Sequence, residues 1–343
     1  MQLINEPVRS ESDSLEEEKT AVIVVNWNAG KNLVRCLHSL AKQTHPPHRT
    51  ILVDNASTDS SLDGIAELFP TVEILLQTEN KGFAEGNNIA VQHAKDCEWI
   101  AFLNPDAFAE PDWLEQLFVA VKSQPEYSFF GSRMEKDSQP EILDGTGDCY
   151  HVSGLAWRRD HGEEAIKTQR ATSEIFAPCA ASAMIRRKDF LDLGGFDRRF
   201  FCYFEDVDLA FRLRLRGGRC LFVNSAKVRH VGSGTTEGNS SFSVYHGNRN
   251  LVWCYIKNMP GHLFWIYLPQ HLLANIAGLV WYSLRGQSAA IFKAKWDAFK
   301  GIPRAWRERK DIQAHSNIRP SDLRRVLLKG IFLPYSKNKR RAG

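Results

Sequence analysis

Three acidic residues stand within four positions, at Glu205, Asp206 and Asp208, where the sequence predicts the start of a helix. Carboxylates in the first turn complement the helix dipole, and Asp208 is spaced to pair with Arg212 on the helix surface. Three acids exceed what a helix start requires. We therefore predict that one carboxylate faces a cleft and acts as the general base that deprotonates an attacking hydroxyl.

A further acid, Asp106, follows an apolar segment in the sequence Asn104-Pro105-Asp106. A carboxylate at the end of a buried strand can bind a divalent cation, and that cation can neutralise a diphosphate leaving group. A proline-containing turn is the structural alternative. His230 ends a β-like segment before a glycine-rich turn, so it is either a metal or phosphate ligand or an ordinary packed histidine.

Two other polar segments have the composition of a nucleotide site. Asp54-Asn55 can contact a nucleobase or ribose hydroxyls, although such clusters also form turns and helix caps. Residues 80–88 place a glycine, Gly82, before a helix, where free backbone N–H groups suit phosphate or ribose oxygens. A plain junction between a loop and a helix is the alternative interpretation.

These polar segments follow short β-branched segments that alternate with helical patterns as far as residue 123. The predicted strands are residues 21–26, 50–54, 72–77 and 99–103, with helices after residue 30 and from Pro111. This alternation predicts a parallel sheet with crossover helices, in which ligands bind beyond the carboxyl ends of the strands. Residues 128–236 are predicted to be irregular, apart from strands at 180–186 and 220–224 and a helix from Glu205 to Gly217.

The chain of 343 residues divides into three predicted parts. Residues 1–20 are polar and acidic, and they predict a flexible leader on a protein that is not secreted. Residues 21–236 carry the α/β pattern, and residues 237–343 predict a helical, aromatic and basic C-terminal extension. Seven cysteines lie far apart without a CxxC pair, which indicates a reducing cytoplasm rather than a disulfide framework or a structural zinc site.

The C-terminal extension has the composition of a segment that contacts membranes. From Arg285 onward there are 16 Lys/Arg and four Asp/Glu, and no residue between Lys257 and Arg285 is formally charged. That uncharged stretch contains Trp265 and Trp281, aromatic residues of the type that settles at headgroup depth, which favours an anionic membrane over nucleic acid as the partner. Residues 262–284 leave three alternatives open: a transmembrane span, a monotopic or re-entrant insertion, and a core helix of a soluble protein.

Several enzyme classes are disfavoured by missing motifs. The sequence contains no HExxH, no Gly-x-Ser-x-Gly and no GxGxxG after the first strand, which argues against a zinc protease, an α/β-hydrolase and a common NAD enzyme.

The order and spacing of the polar segments together resemble the family 2 inverting glycosyltransferases with the GT-A fold, in particular their rhamnosyltransferase-like branch. The resemblance covers about residues 21–236. It rests on Val24-Val25-Asn26-Trp27-Asn28, Val53-Asp54-Asn55-Ala56-Ser57, Asn80-Lys81-Gly82-Phe83 with Gly86-Asn87, Leu103-Asn104-Pro105-Asp106 and Glu205-Asp206-Val207-Asp208.

The resemblance implies a GT-A fold, a mixed and mainly parallel sheet flanked by helices, followed by a helical membrane-associating extension. It implies that Asp206 is the catalytic base and that Asp106, with His230 as a further ligand, binds Mg²⁺ or Mn²⁺. Asn104 replaces the first acid of the family's DxD motif, which departs from the strict form. The residues that would contact the nucleotide sugar are Asn26, Asn28, Asp54, Asn55, Asn80, Gly82, Phe83, Asn87, Asn104 and Glu205.

The function implied by the resemblance is inverting transfer of rhamnose from dTDP-rhamnose, or of a hexose from a UDP-sugar. The acceptor would be a hydroxyl of a lipid-linked or cell-envelope glycan, and the enzyme would be cytoplasmic and peripheral on the inner face of the cell membrane. Nucleic acid is not an expected partner. A catalytically silent nucleotide-sugar-binding scaffold and a sugar-nucleotide nucleotidyltransferase are the alternatives, although the latter usually has a glycine-rich, basic loop after the first strand.

Overall fold

The computed structural model describes residues 19–168, 170–232 and 240–330. The strands are β1 (Thr20–Asn26), β2 (Arg49–Asp54), β3 (Val72–Leu76), β4 (Trp99–Leu103), β5 (Ala107–Ala109), β6 (Phe129–Lys136), β7 (Gln139–Gly145), β8 (Asp148–Tyr150), β9 (Ala156–Arg158), β10 (Ser173–Ile175), β11 (Ser182–Arg186) and β12 (Cys220–His230). The helices are α1 (Lys31–Ala41), α2 (Ile65–Leu68), α3 (Gly82–His93), α4 (Trp113–Ser123), α5 (Ala165–Thr168), α6 (Arg187–Asp192), α7 (Glu205–Leu215), α8 (Ser241–Asn258), α9 (Gly261–Leu284), α10 (Ser288–Ala314) and α11 (Pro320–Val326).

Among the described residues, ten strands form one mixed sheet with the order β10-β12-β6-β11-β4-β1-β2-β3, while β5 pairs with β12 and β7 with β6. The strands β4, β1, β2 and β3 are mutually parallel, and β11 joins them to β6 by antiparallel pairing. Strand β1 forms because its β-branched residues are buried on both faces, as central strands of parallel sheets require. The expected fold class, a mixed sheet flanked by helices, is confirmed.

The predicted elements agree with the structure in the N-terminal half and differ in the middle. Strands β6 and β7 occupy residues that the sequence predicts to be irregular. Pairing of β6 with β11 and β12 overrides the low strand propensity of Gly131-Ser132, and β7 in turn pairs with β6. Strand β12 continues to His230, beyond the predicted end at residue 224, after a register shift between Val223 and Lys227. Helix α4 begins at Trp113 rather than at the proline two residues earlier.

The expected C-terminal helical region is present and shares its core with the sheet. Helix α8 packs against α7, and α10 runs along α8. One apolar cluster contains Ala21 of β1, Phe211 of α7, Tyr255 of α8 and Leu327 after α11. The acidic leader, apart from its last two residues, and the predicted boundary at residues 236 and 237 lie outside the described residues, as does the part of the basic tail from residue 331 onward.

Candidate active site

The backbone before α7 adopts an unusual conformation. Phe201, Tyr203 and Phe204 have φ angles of 64°, 70° and 72°, in the left-handed region that residues other than glycine rarely occupy. Such strain persists only where surrounding contacts enforce it, and it concentrates at functional sites. This segment, residues 200–204, is called the base loop below because it ends immediately before Glu205 and Asp206.

Asp206 is buried at the start of α7, with 9% of its surface exposed. Its two carboxylate oxygens accept hydrogen bonds from the backbone N–H groups of Ala180 (3.0 Å) and Val207 (2.8 Å). Burial raises the pKa of Asp206 above its ordinary value. A fixed carboxylate with a raised pKa has the properties of a general base.

Two neighbouring acids share the environment of Asp206. Ligand atoms of Asp148, Cys179 and Asp206 lie within 4.8 Å of one another. Burial, and to a smaller extent the charge of Asp206, raises the pKa of Asp148 to about 8. Burial, followed again by the charge of Asp206, also raises the pKa of Glu205, whose Oε2 atom has no hydrogen-bond partner among the described residues. Close, buried carboxylates cannot all ionise together, so this cluster can hold a proton near neutral pH.

Asp208 lies in the core and not on the helix surface, so the predicted surface pair was wrong in its location. Its side chain is fully buried and forms ion pairs with Arg212 (2.8 Å) and Lys257 (3.1 Å). Asn258 also donates a hydrogen bond to it (2.7 Å). Helix α8 covers this face of α7 and supplies both Lys257 and Asn258. Burial opposes ionisation, but the charges of Lys257 and Arg212 hold the pKa of Asp208 below its ordinary value.

A second group forms where the turn between β4 and β5 meets the end of β12. Pairing of His230 with Ala107 in these strands brings His230 Nε2 to 3.3 Å from Asp106 Oδ1. On the other side of the ring, His230 Nδ1 lies 2.8 Å from Asp144 Oδ2. Although burial opposes protonation, the adjacent carboxylates of Asp106 and Asp144 raise the pKa of His230 to about 9.

The donor atoms of this second group suit a divalent cation. His230 Nε2 contacts Asp106 without hydrogen-bond geometry, and within the described residues neither this nitrogen nor the buried Oδ1 of Asn104 has a hydrogen-bond partner. Carboxylate and amide oxygens with an imidazole nitrogen are ligands that Mg²⁺ or Mn²⁺ accepts. The residues present therefore fit the expected metal, with Asn104 occupying the position of the missing acid.

The ends of β1 and β2 are joined by side-chain hydrogen bonds. Asn26 Nδ2 lies within hydrogen-bond distance of Asp54 Oδ1 (2.8 Å) and of the Ser57 hydroxyl (3.0 Å). The other oxygen of Asp54 accepts the Ser57 N–H (3.0 Å). Asn28, with φ of 53°, accepts the Thr58 N–H at its side-chain oxygen (2.7 Å). Asn26, Asn28 and Asp54 thus fix the loop after β2, and direct contact with a nucleotide stays a prediction for them.

The segment before α3 lies against the same edge of the sheet. Asn55 donates to the carbonyl of Gly82 (3.0 Å) and keeps an unpaired, buried Oδ1 among the described residues. Asn80 accepts the Gly82 N–H (2.9 Å). A side chain at Gly82 would lie 2.6 Å from the Phe201 ring, so only glycine fits here. This contact joins the predicted nucleotide segment to the base loop.

Two of the predicted nucleotide contacts are directed mainly toward the protein. Asn87 is almost fully buried and donates to the carbonyl of Phe83 within the same helix (2.9 Å). The Phe83 ring packs near that of Phe196, with ring centroids 6.2 Å apart. Their contact with a nucleotide stays a prediction.

Sequence reasoning missed Asp144 and Asp148 as site residues. Both lie in a glycine-rich segment, residues 143–148, within the region that the sequence predicts to be irregular. Asp144 is paired with Arg158 and with His230, and Asp148 is close to Asp206. The signal that could have identified them is the presence of two acids within a segment rich in small residues.

Comparisons with known proteins identify the family of the chain. Residues 21–194 match the family model described as "Glycosyl transferase family 2". N-acetylglucosaminyl-diphospho-decaprenol L-rhamnosyltransferase of Mycobacterium tuberculosis is 28% identical over 231 residues, which cover 61% of this chain and 75% of the relative. O-antigen chain rhamnosyltransferase WbaN of Salmonella anatum is 25% identical over 290 residues, covering 77% and 88%.

A solved structure shares the fold. The crystal structure of GalNAc-T7 with UDP, GalNAc and Mn²⁺ superposes with a TM-score of 0.57 at 18% identity. The similarity covers 71% of this chain and 48% of that one, so the chain corresponds to about half of GalNAc-T7.

Proposed function

Because the chain belongs to glycosyl transferase family 2 and is therefore a glycosyltransferase, we propose that it transfers a sugar with inversion from a nucleotide-diphosphate sugar to a hydroxyl of a lipid-linked glycan. The observation that carries this proposal is the buried Asp206, held by two backbone N–H groups at the end of a strained loop. The names of the two relatives support rhamnose from dTDP-rhamnose as the donor ahead of a hexose from a UDP-sugar.

Asp206 accepts the proton of the acceptor hydroxyl as that oxygen attacks the anomeric carbon. A single displacement forms no covalent enzyme intermediate, so one base on the acceptor side suffices. The N–H groups of Ala180 and Val207 hold the carboxylate in one orientation, and burial raises its pKa and therefore its proton affinity.

Asp106, His230 and Asn104 would hold the divalent cation. When bound, the cation supplies positive charge to the departing diphosphate. Asp144 contributes by accepting a hydrogen bond from His230 Nδ1, which leaves Nε2 as the ligand atom and fixes the ring. The segments around Asn55 and Gly82 would bind the nucleotide, together with the other contacts that the resemblance implies.

A donor screen tests the transfer. Purified enzyme is incubated with N-acetylglucosaminyl-diphospho-decaprenol, the acceptor type in the name of the mycobacterial relative, and with dTDP-rhamnose or a panel of UDP-sugars. We expect release of nucleoside diphosphate with at least one donor and loss of that release in Asp206→Asn. Tight donor binding without any diphosphate release would favour the silent scaffold, and release of pyrophosphate from a nucleoside triphosphate would favour the nucleotidyltransferase.

We also propose that the C-terminal helices hold the enzyme on an anionic membrane. Within the described residues, α9 is the one helix whose length and composition would allow it to cross a membrane, and 22% of its most apolar window is buried. One face of α9 packs on the protein: His271 Nδ1 donates to the Ser153 carbonyl (2.8 Å), and its ring stacks on Tyr255. This attachment supports a position on the membrane surface over a span.

The opposite face of α9 is exposed and apolar. Trp265, with 62% of its surface exposed, lies near Trp306 of α10, so the exposed faces of the two helices are continuous. Helix α10 adds an exposed stripe flanked by basic residues such as Lys293 and Lys300. The exposed apolar residues are Trp265, Ile266, Leu272, Leu273, Ile276, Val280, Trp281 and Leu284 of α9, and Phe292, Trp296, Phe299 and Trp306 of α10. Apolar and aromatic surface bordered by basic residues is typical of helices that lie in an anionic interface.

A further inference from the structure

Helix α8, in the C-terminal region, holds the base loop. The side chain of Asn250 is fully buried, and its Nδ2 atom lies 2.9 Å from the carbonyl oxygen of Phe200, 3.0 Å from that of Cys202 and 2.7 Å from that of Tyr203. One amide group therefore serves as donor to three backbone carbonyls of the segment that precedes Asp206.

The left-handed backbone of the base loop explains why these carbonyls need such a partner. Phe201, Tyr203 and Phe204 are left-handed, and the carbonyls of residues 200, 202 and 203 all lie within hydrogen-bond distance of Asn250 on α8. Buried carbonyls require donors. The Asn250 amide supplies hydrogen bonds to these carbonyls, and Arg249 adds a further donor to that of Phe200.

Arg249 fixes the orientation of the Asn250 amide. Its Nε donates to Asn250 Oδ1 (3.0 Å), which directs the oxygen away from the base loop and the NH₂ group toward it. Arg249 Nη2 also donates to the carbonyls of Arg199 (2.8 Å) and Phe200 (3.1 Å). The guanidinium is itself held 4.6 Å from the Trp253 ring centroid.

The other side of the base loop contacts the predicted nucleotide segment. The Ala84 N–H donates to the Phe201 carbonyl (3.2 Å), and the Phe201 ring fills the space beside Gly82. The loop thus lies between α3 and α8 and connects directly to Asp206. Its conformation depends on both helices.

We propose that Asn250, oriented by Arg249, is a positioning residue for Asp206, so that helix α8 is an integral part of the catalytic centre. This inference rests on the proposed role of Asp206 as base. It assigns to Arg249-Asn250 a task in catalysis rather than in membrane association alone.

The test uses the full chain with Asn250→Asp, which keeps the shape of the side chain and removes its NH₂ donors. We expect the turnover number to fall about 10²-fold, because a shift of about 1 Å in a catalytic group has that effect. The dissociation constant for the donor nucleotide should stay within about threefold. Chymotrypsin, which cleaves after aromatic residues, should cut the native variant at Phe201, Tyr203 or Phe204 much faster than the wild type.

Asn248→Ala is the matched control on the same helix. Asn248 donates to the Val244 carbonyl (3.0 Å) and contacts Lys295 of α10 (3.3 Å), away from the base loop. The Asn248→Ala substitution should loosen the packing of α8 on α10. It should not increase cleavage in the base loop, and it should not lower turnover when compared with an Asn250 variant of equal stability. Arg249→Lys provides a second test if Asn250→Asp does not fold, because it keeps the charge and loses the bond that orients Asn250.

Two results would overturn the inference. One is wild-type turnover and cleavage in a folded Asn250 or Arg249 variant. The other is an equal fall in turnover in the Asn248 control at equal stability. An active Asp206→Asn enzyme would instead refute the assignment of the base, while cleavage of the base loop would still report whether Asn250 holds it.

Discussion

Replacing Asp208 with asparagine should destabilise the protein strongly, although the residue is one half of an ordinary i,i+4 pair. Its carboxylate is fully buried and carries the negative charge between Arg212 and Lys257. Asparagine keeps the shape but removes that charge, so two buried cations lose a counter-ion. Arg212 retains the carbonyl of Gly195 as an acceptor (2.8 Å), and Lys257 retains Asp197 (2.6 Å).

The size of the expected loss of stability follows from the burial of Asp208. Breaking a buried ion pair on one side typically costs about 3–5 kcal/mol, whereas an exposed i,i+4 pair contributes about 0.3–0.5 kcal/mol. Because both cations keep other partners, we expect the free energy of unfolding to fall by about 3 kcal/mol, at the lower end of that range. The pKa of Asp208 lies below its ordinary value, so its contribution is complete above pH ~4, near the pKa of an unfolded aspartate, and is lost as pH falls through the folded-state pKa.

Urea denaturation at pH 7 measures this difference, with Asp192→Asn as the control. Asp192 forms an exposed i,i+4 pair with Lys188, in which half of the acid's side chain and most of the lysine's remain accessible. The control should change stability by about 0.5 kcal/mol or less. A loss below about 1 kcal/mol for Asp208→Asn, or equal losses for the two variants, would show that the buried arrangement is wrong.

Four further outcomes can be tested in parallel. Asp206→Asn should lower turnover by about 10²–10⁴-fold with donor binding retained, and wild-type turnover would refute the role of Asp206 as base. The NH₂ group of the new asparagine must face a backbone N–H, which should lower the free energy of unfolding by about 1–3 kcal/mol. Chelation of divalent cations and Asp106→Ala should each lower activity, and full activity in excess EDTA would show that protein groups replace the metal. Because the folded-state pKa of Asp148 is raised to about 8, the free energy of unfolding should decline as pH rises from about 4 to 8. Urea titrations at pH 5 and 8 should show a smaller decline for Asp148→Asn, and an equal decline in the variant and the wild type would contradict this prediction. Sedimentation with vesicles should show stronger binding to anionic than to neutral lipid at low salt, and equal binding would refute the electrostatic part of the membrane proposal.

The sequence predicts the parallel half of the fold well because the patterns that indicate its strands and helices lie within short segments of the chain. Strand β4, for example, is an apolar segment bounded by polar residues, and the structure gives it the predicted limits. Asp106 and Asp206 could be proposed as site residues for the same reason, because Asp106 follows a predicted strand and Asp206 lies at the start of a predicted helix. Their chemical surroundings could not, because they depend on contacts between distant parts of the chain.

Asp208 illustrates this limit. Its spacing from Arg212 correctly predicts an ion pair, but spacing within one helix cannot indicate which face is covered by α8, and Lys257 lies 49 residues away in the chain. The same holds for His230, which reaches Asp106 only because β12 continues past its register shift to pair with β5. Strands β6 and β7 were missed because their pairing partners stabilise them more than their own composition does.

The single apolar core that joins β1 to the C-terminal helices has a consequence for the synthesis of the enzyme. Residues from Ala21 to Leu327 pack in the same cluster, and α8 covers the buried acid Asp208. Ribosomes add about 5–20 residues per second, so on the order of ten seconds separate the emergence of α7 from that of Leu327. During this interval the nascent chain exposes apolar surface, and until Lys257 emerges it also lacks the counter-ion of Asp208 from α8. The enzyme is therefore expected to depend on chaperones until Leu327 has emerged, and chains truncated before that residue should be rapidly degraded.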